Sequence, residues 1–337
     1  MEKKERETNI ELLRIISMVL VMVVHADFKA LGIPSQVEIV ECPVSSFMRF
    51  FTESISIVCV NLFVLISGWF GIRFKMLRLG ELLFQILFFC VIMFIILVCC
   101  GEICMSNCKI FVNDSIENYW FVWAYLILYL FAPALNCYIN NATKKELELF
   151  LTLFFIFQTI FGYVILLSWF SKGYSPLSFM GLYVLGRYLH LYPNKITTQK
   201  QSVYVLVYLS MVLLTTCMTF FSSVIRMDPY KVYSYSSPIV IVGSTSLFLF
   251  FTKFSFRSKI VNWIAISCFS IYLVHCFPII FEKVYLYQIK ECFDSMNTPS
   301  FLLRSFLWIV LFMVISVFLD KIRIFLWLKM RSLFVIH

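Results

Sequence analysis

Long apolar blocks alternate with short charged segments along almost the whole chain. Crossing a bilayer as a helix takes about 20 mostly apolar residues. Ten blocks approach that length, near 10–27, 55–71, 82–104, 119–140, 148–169, 176–192, 203–225, 237–252, 261–280 and 300–320. The sixth and eighth are short. The pattern predicts an all-α fold: a polytopic transmembrane helical bundle of about ten spans, read as one membrane-embedded domain over residues 1–337. No internal repeat and no low-complexity segment interrupts it.

The intervening segments orient the bundle. With the N-terminus inside, the inner segments carry 17 Lys and Arg residues and the outer ones 9. Each inner segment has at least two, among them Arg73, Lys75 and Arg78, and finally Lys321, Arg323, Lys329 and Arg331. The positive-inside rule then puts both termini in the cytosol. Two outer segments are longer than a turn needs: residues 28–54, with Pro34, Pro43, Glu38, Glu41 and Glu53, and residues 281–299, with Glu282, Glu291 and Asp294. They either cover an outward-facing site or simply connect spans. The first block comes after basic residues, as in a signal peptide. Glu11 and Arg14 interrupt it and no A-x-A site comes after it, so it is expected to stay as a helix.

Composition agrees with this picture. Hydrophobic residues make up 61% and charged residues 14% of the chain, against roughly a half and a quarter in soluble domains. A net charge of +9 on a soluble protein would suggest nucleic acid. Here the cations sit in topology-setting segments, so the expected partner is the lipid bilayer and not nucleic acid. Most of the 12 cysteines lie inside apolar blocks, where they act as small hydrophobes. No CxxC pair exists, and no His/Cys/Asp/Glu cluster has ligand spacing, so no metal is expected. Cys104 and Cys108 fall near a membrane edge, where a disulfide between them is left open.

Ionisable groups within a span are costly and point to function. The first block, NIELLRIISMVLVMVVHAD, holds Glu11, Arg14 and His25. Eleven residues separate Arg14 from His25, which is three helical turns plus about 20° and a rise of about 16 Å. Both therefore lie on one face, with Met18 and Val21 between them and Glu11 one turn below. A cation near the cytosol suits a phosphate, and a histidine farther out suits a general base or a nucleophile. Equally, Arg14 can snorkel to the interface and His25 can close the outer end. The block Arg73-Phe-Lys75-Met-Leu-Arg78 can grip a polyphosphate or merely set orientation. His275, in CFSIYLVHCFP, reads more readily as a packed, hydrogen-bonded group than as a catalyst. Arg187 and His190 form a further polar pair with no assigned role.

The stretches ELLRIISMVLVMVVH (11–25), NLFVLISGWFGIRFKMLR (61–78), YWFVWAYLILYLFAPALN (119–136) and SCFSIYLVHCF (267–277) together resemble acyltransferase family 3, integral membrane enzymes that O-acylate carbohydrates, often bacterial surface polysaccharides. The resemblance covers essentially the whole chain. Arg14 and His25 match an Arg, ten residues, then His. Phe63 to Gly68 match Phe-Val-Leu-x-Ser-Gly and include Ser67. Ile271 to His275 match Ile-Tyr-Leu-x-His. Lys75 and Arg78 match a basic-x-x-Arg motif in which Arg is the commoner first residue.

The resemblance implies an acyltransferase of the cell (inner or plasma) membrane that moves an acyl group, expected to be acetyl, from cytosolic acetyl-CoA to a sugar hydroxyl of a surface polysaccharide or lipid-linked glycan. It implies His25 as the catalytic group, Arg14, Lys75 and Arg78 at the donor, and Glu11, Ser67 and His275 in support. His25 would either deprotonate the hydroxyl or carry the acyl group first. Two rival readings are a transporter or flippase for a glycan or lipid and a non-catalytic assembly subunit. The sequence leaves the sugar, its hydroxyl, the acyl chain and the oligomeric state open.

Overall fold

The computed structural model describes residues 6–104, 118–225 and 228–334. The structure is 81% helical, and no strand occurs among the described residues. In chain order the α-helices are α1 (Thr8–Val24), α2 (Gln36–Glu41), α3 (Pro43–Ser56), α4 (Cys59–Phe70), α5 (Met76–Cys99), α6 (Trp120–Asn141) and α7 (Lys144–Phe157). They continue with α8 (Pro176–Leu191), α9 (Gln201–Val224), α10 (Pro238–Phe251), α11 (Lys259–Ala265), α12 (Cys268–His275), α13 (Tyr287–Ser295) and α14 (Thr298–Phe334). Wider π-helical turns extend α1 at His25–Lys29 and α7 at Gln158–Val164, and precede α13 at Ile280–Leu286.

Every apolar block of the sequence is mainly helical. Among the described residues, seven segments have the length and hydropathy to cross a membrane: Thr8–Lys29, Pro43–Phe70, Met76–Cys99, Trp120–Asn141, Lys144–Val164, Gln201–Val224 and Thr298–Ser332. An eighth results if Cys268–His275 and Ile280–Ser295, bent by 95°, form one span. The sixth and eighth blocks become α8 and α10, of 16 and 14 residues. At 1.5 Å per residue these measure about 24 and 21 Å, less than the roughly 30 Å hydrocarbon core.

Three stretches expected as loops are helical instead. Residues 43–54 form most of α3, which Pro43 starts as a first-turn proline. Its inward face carries Ser46, Phe50, Glu53 and Ser54, a helical spacing hidden by polar composition. Most of the 281–299 segment is helical in the π turn and α13. The cations at 321–331 lie within α14, and Arg323 is buried. Cys108 lies outside the described residues, so its pairing with Cys104 does too.

The described chain divides into two compact units. The first contains residues up to Phe28, Gly32–Arg73 and Phe121–Ser258. In it, α4 packs backbone to backbone on α8 through two glycines. A Cβ on Gly68 would stand 2.2 Å from the Tyr183 carbonyl oxygen, and one on Gly186 would stand 2.5 Å from that of Leu65. Small residues let membrane helices approach backbone to backbone, where dispersion has to hold them. Polar bonds add to this: the Thr216 hydroxyl of α9 donates to Ser54 of α3 at 3.0 Å. The Asn61 amide of α4 donates to the Tyr235 carbonyl at 3.1 Å. The segment Val232–Ser237, which leads into α10, is buried throughout although it is not α-helical. The Ser234 hydroxyl donates to the Lys172 carbonyl at 2.9 Å and the Ser236 hydroxyl to that of Gly162 at 3.1 Å. Between α1 and α3, a capping box opens α2. The Glu38 carboxylate accepts the Ser35 N–H at 2.6 Å, and this bond, with one to the Ser35 hydroxyl, holds its pKa below the ordinary value.

The second unit contains Lys29–Leu31, Phe74–Trp120 and the chain from Lys259. A buried polar network ties α5, α12 and α14. Gln85 donates to Ser270 at 2.8 Å and to Asp320 at 3.2 Å. Asp320 pairs with Arg323 at 2.8 Å, and Arg323 reaches Glu81 at 3.5 Å.

Gly186→Ala is expected to destabilise the protein by about 1–3 kcal/mol through overpacking, read as a lower melting temperature in detergent. Gly80→Ala is the comparison, since its Cβ would meet only the Trp327 ring at 3.6 Å. It should leave the midpoint unchanged or raise it. Asp320→Ala leaves the buried Arg323 with its longer, 3.5 Å contact to Glu81 and is expected to cost about 3 kcal/mol, the low end for breaking a buried ion pair, in the same measurement.

Candidate active site

Glu11 and Arg14 lie in the first helix and His25 directly follows it. Glu11 is buried. Both of its carboxylate oxygens accept from Arg14 Nη1, at 3.2 and 3.3 Å, and Arg6 approaches it at 3.5 Å. An acid in a first helical turn also faces the positive end of the helix dipole. The helix start is fixed by Asn9, whose amide donates to the Phe251 carbonyl at 2.8 Å. The Arg14 side chain is 31% exposed. Glu11 engages one of its nitrogens, and a guanidinium has five donors to offer, so the rest can meet an anion.

Farther along the helix, Met18 and Val21 are buried and His25 is half-buried. His25 ends the regular helix and opens the π-helical turn His25–Lys29. Such turns are rare and concentrate at functional sites. Arg14 and His25 are too far apart along the axis to touch. The pair therefore suits an elongated ligand with an anionic end and a reactive end.

Two residues after His25 stands Asp27, buried and paired with Arg49 of α3 at 3.0 Å. One turn on from Arg49, Glu53 is only 3% exposed. Asp27 Oδ2 and Glu53 Oε2 have no hydrogen-bond partner among the described residues. Sequence reasoning missed this cluster as a site. Asp27 stands at the very end of the first apolar block, while Arg49 and Glu53 belong to a stretch whose composition reads as a loop. Their i, i+4 spacing on a proline-started helix was the available signal.

The remaining predicted residues belong partly to the first unit and partly to the second. In the first, the Ser67 hydroxyl of α4 donates to the Phe63 carbonyl at 2.9 Å and lies 3.2 Å from the Tyr125 hydroxyl. Arg187 donates to the Trp69 carbonyl at 3.1 Å, and the His190 ring meets the Trp69 ring edge-on at 4.6 Å. In the second unit, Lys75 is the residue before α5 and Arg78 lies in its first turn. Both are exposed. Arg73, at the end of the first unit, is exposed as well. Cations at a helix N-terminus add to the positive end of the dipole, so the start of α5 favours phosphate. His275 is fully buried at the end of α12. Its Nδ1 lies 2.7 Å from the Ile271 carbonyl, and the rings of Tyr272 and Tyr285 pack edge-on at 6.0 and 5.6 Å. That is the packed, hydrogen-bonded environment expected from the sequence.

A family model described as an acyltransferase domain matches residues 7–329. No curated protein and no solved structure matches the chain at a significant level. The family match takes in nearly all of the described residues, from the start of the charged first helix to the last turns of α14. This chain therefore belongs to that acyltransferase family, as a multi-pass membrane acyltransferase.

Proposed function

We propose that this protein is an O-acyltransferase that takes an acyl group, acetyl by preference, from cytosolic acetyl-CoA and passes it to a sugar hydroxyl on a surface polysaccharide or lipid-linked glycan. The reading is carried by one observation: a half-buried Arg14 and a half-buried His25 stand eleven residues apart along the first helix, a spacing that turns both to one face, in a chain of the acyltransferase family. Acyl-CoA is itself elongated, with phosphates at one end, a thin apolar-to-polar arm, and a thioester at the other. A rise of about 16 Å between the two side chains suits such a molecule lying along the helix.

In this reading both termini are cytosolic, Arg14 lies toward the cytosol, and the protein resides in the cell membrane. Arg14 binds donor phosphate through the guanidinium nitrogens that Glu11 leaves open, and Glu11 keeps the side chain in place. Lys75 and Arg78 supply further cations suited to the donor phosphates. His25 takes the proton from the acceptor hydroxyl as its oxygen attacks the thioester carbonyl. The C–S bond then breaks and the proton passes to the departing CoA thiolate. A relay in which His25 first carries the acyl group balances equally. Ser67 and His275 support the site through the elements they fix.

His25→Ala is expected to lower acyl transfer by about 10²–10⁴-fold, with the protein still folded and inserted. Wild-type levels of product from this variant would remove the catalytic role. Arg14→Ala is expected to raise KM for acetyl-CoA about tenfold or more, the size of one lost charged hydrogen bond, with kcat less affected. The deciding assay is release of free CoA from acetyl-CoA by the purified protein. The bent pair of α12 and Ile280–Ser295 is a device transporters also use, but a transporter would move its glycan and leave the thioester intact.

A further inference from the structure

His25 stands at a junction. On one side α1 holds its backbone. On the other side its direction depends on whatever fixes the π-helical turn and the chain reversal after it. A π turn takes more residues per turn than an α-helix and persists where its surroundings maintain it. The reversal occurs at Gly32, whose φ of +74° lies in the left-handed region.

One side chain grips both features. Arg49 Nε donates to Asp27 Oδ1 at 3.0 Å. Its Nη2 donates to the Gly32 carbonyl. Its Nη1 stands 3.9 Å from Glu38, the residue that caps α2. The Arg49 side chain is only 12% exposed. Beside it, Phe28 of the turn is held edge-on by Phe50 at 5.9 Å, Tyr233 at 5.1 Å and Tyr230 at 6.3 Å. The planar fork of arginine can satisfy a carboxylate and a carbonyl in fixed directions at once, whereas lysine offers a single point of charge.

Stability alone does not account for this choice. A buried ion pair is often no more stabilising than apolar side chains of the same volume. Among the described residues, Asp27 Oδ2 and the Oε2 of nearby Glu53 also lack hydrogen-bond partners, a cost that well-packed apolar residues would avoid. What the arrangement does supply is direction, at the turn that begins with His25.

We infer that Arg49 is a positioning residue for acyl transfer: by tying Asp27 to the Gly32 carbonyl it fixes the turn on which His25 stands. The inference rests on His25 being the group that acts on the acceptor hydroxyl. Arg49 acts through that turn and touches neither donor nor acceptor.

The test uses the full-length protein in detergent, with acetyl-CoA as the probe and thiol release as the rate. Arg49→Lys keeps the charge and removes the fork. It is expected to lower kcat about 10- to 100-fold, as a small misplacement of a catalytic group does, while KM for acetyl-CoA stays within about threefold. Hydrogen exchange of the amides in residues 25–32 should rise about tenfold or more as local opening becomes easier. Asp27→Asn, nearly the same shape, should do the same. In Arg49→Ala, added guanidinium at millimolar concentration should recover part of kcat. Exchange at 25–32 that is unchanged in both Arg49→Lys and Asp27→Asn overturns the clamp. Raised exchange with kcat within about twofold of wild type overturns its role in positioning. Equal loss through KM alone would do so as well. A wild-type protein that releases no thiol removes the reading of His25 itself, a failure distinct from unchanged exchange.

Discussion

A polar group inside an apolar bundle has to be answered by another polar group, because hydrocarbon cannot solvate it. That constraint organises both units of this protein. In the first, Glu11 answers Arg14 and Arg49 answers Asp27. In the second, Gln85, Ser270, Asp320 and Arg323 answer one another across three helices. Association of membrane helices gains little from the hydrophobic effect, since lipid tails are as apolar as leucine. Direction and register therefore fall to these few polar bonds and to the close glycine contacts at Gly68 and Gly186. The same bonds steady the charged groups of the first helix and of the turn that ends it. A guanidinium beside a carboxylate is steadied without being fully consumed, and a histidine at the end of a regular helix is held by the turn it opens.

The apolar blocks were legible because each is a continuous run, and continuous runs survive any uncertainty about facing. Helix α3 was not legible in that way. Arg49, Thr52 and Glu53 break its hydropathy, although Ser46, Phe50, Glu53 and Ser54 keep a helical period. The cations of α14 misled for a related reason. Charge near the end of an apolar run resembles a cytosolic loop, and nothing in the local sequence announces that Asp320, three residues earlier, will bury Arg323.

The proposed site divides along the same line. Arg14, Glu11 and His25 could be found from spacing on one helix, because they are neighbours in a single periodic element. Lys75 and Arg78 could be found as a dense basic entry to α5. Ser67 and His275 came from motif resemblance, and the structure gives both of them local backbone bonds. The Arg49–Asp27 contact could not be found from spacing. Its partners are 22 residues apart, on different elements, and their meeting depends on the reversal at Gly32. Long-range polar pairing is the part of a membrane site that period and composition do not encode.

The buried, non-α-helical segment Val232–Ser237 changes how the region before α10 behaves. Its YSYSS composition looks water-facing, yet its hydroxyls cap carbonyls of distant segments just as solvent would. Irregular backbone is tolerated at bilayer depth only when enclosed by protein or lining a wet cavity. A labelling reagent or an inserted reporter aimed at this stretch would thus probe the protein interior, and an insertion there would be felt as damage to the core rather than as a lengthened loop.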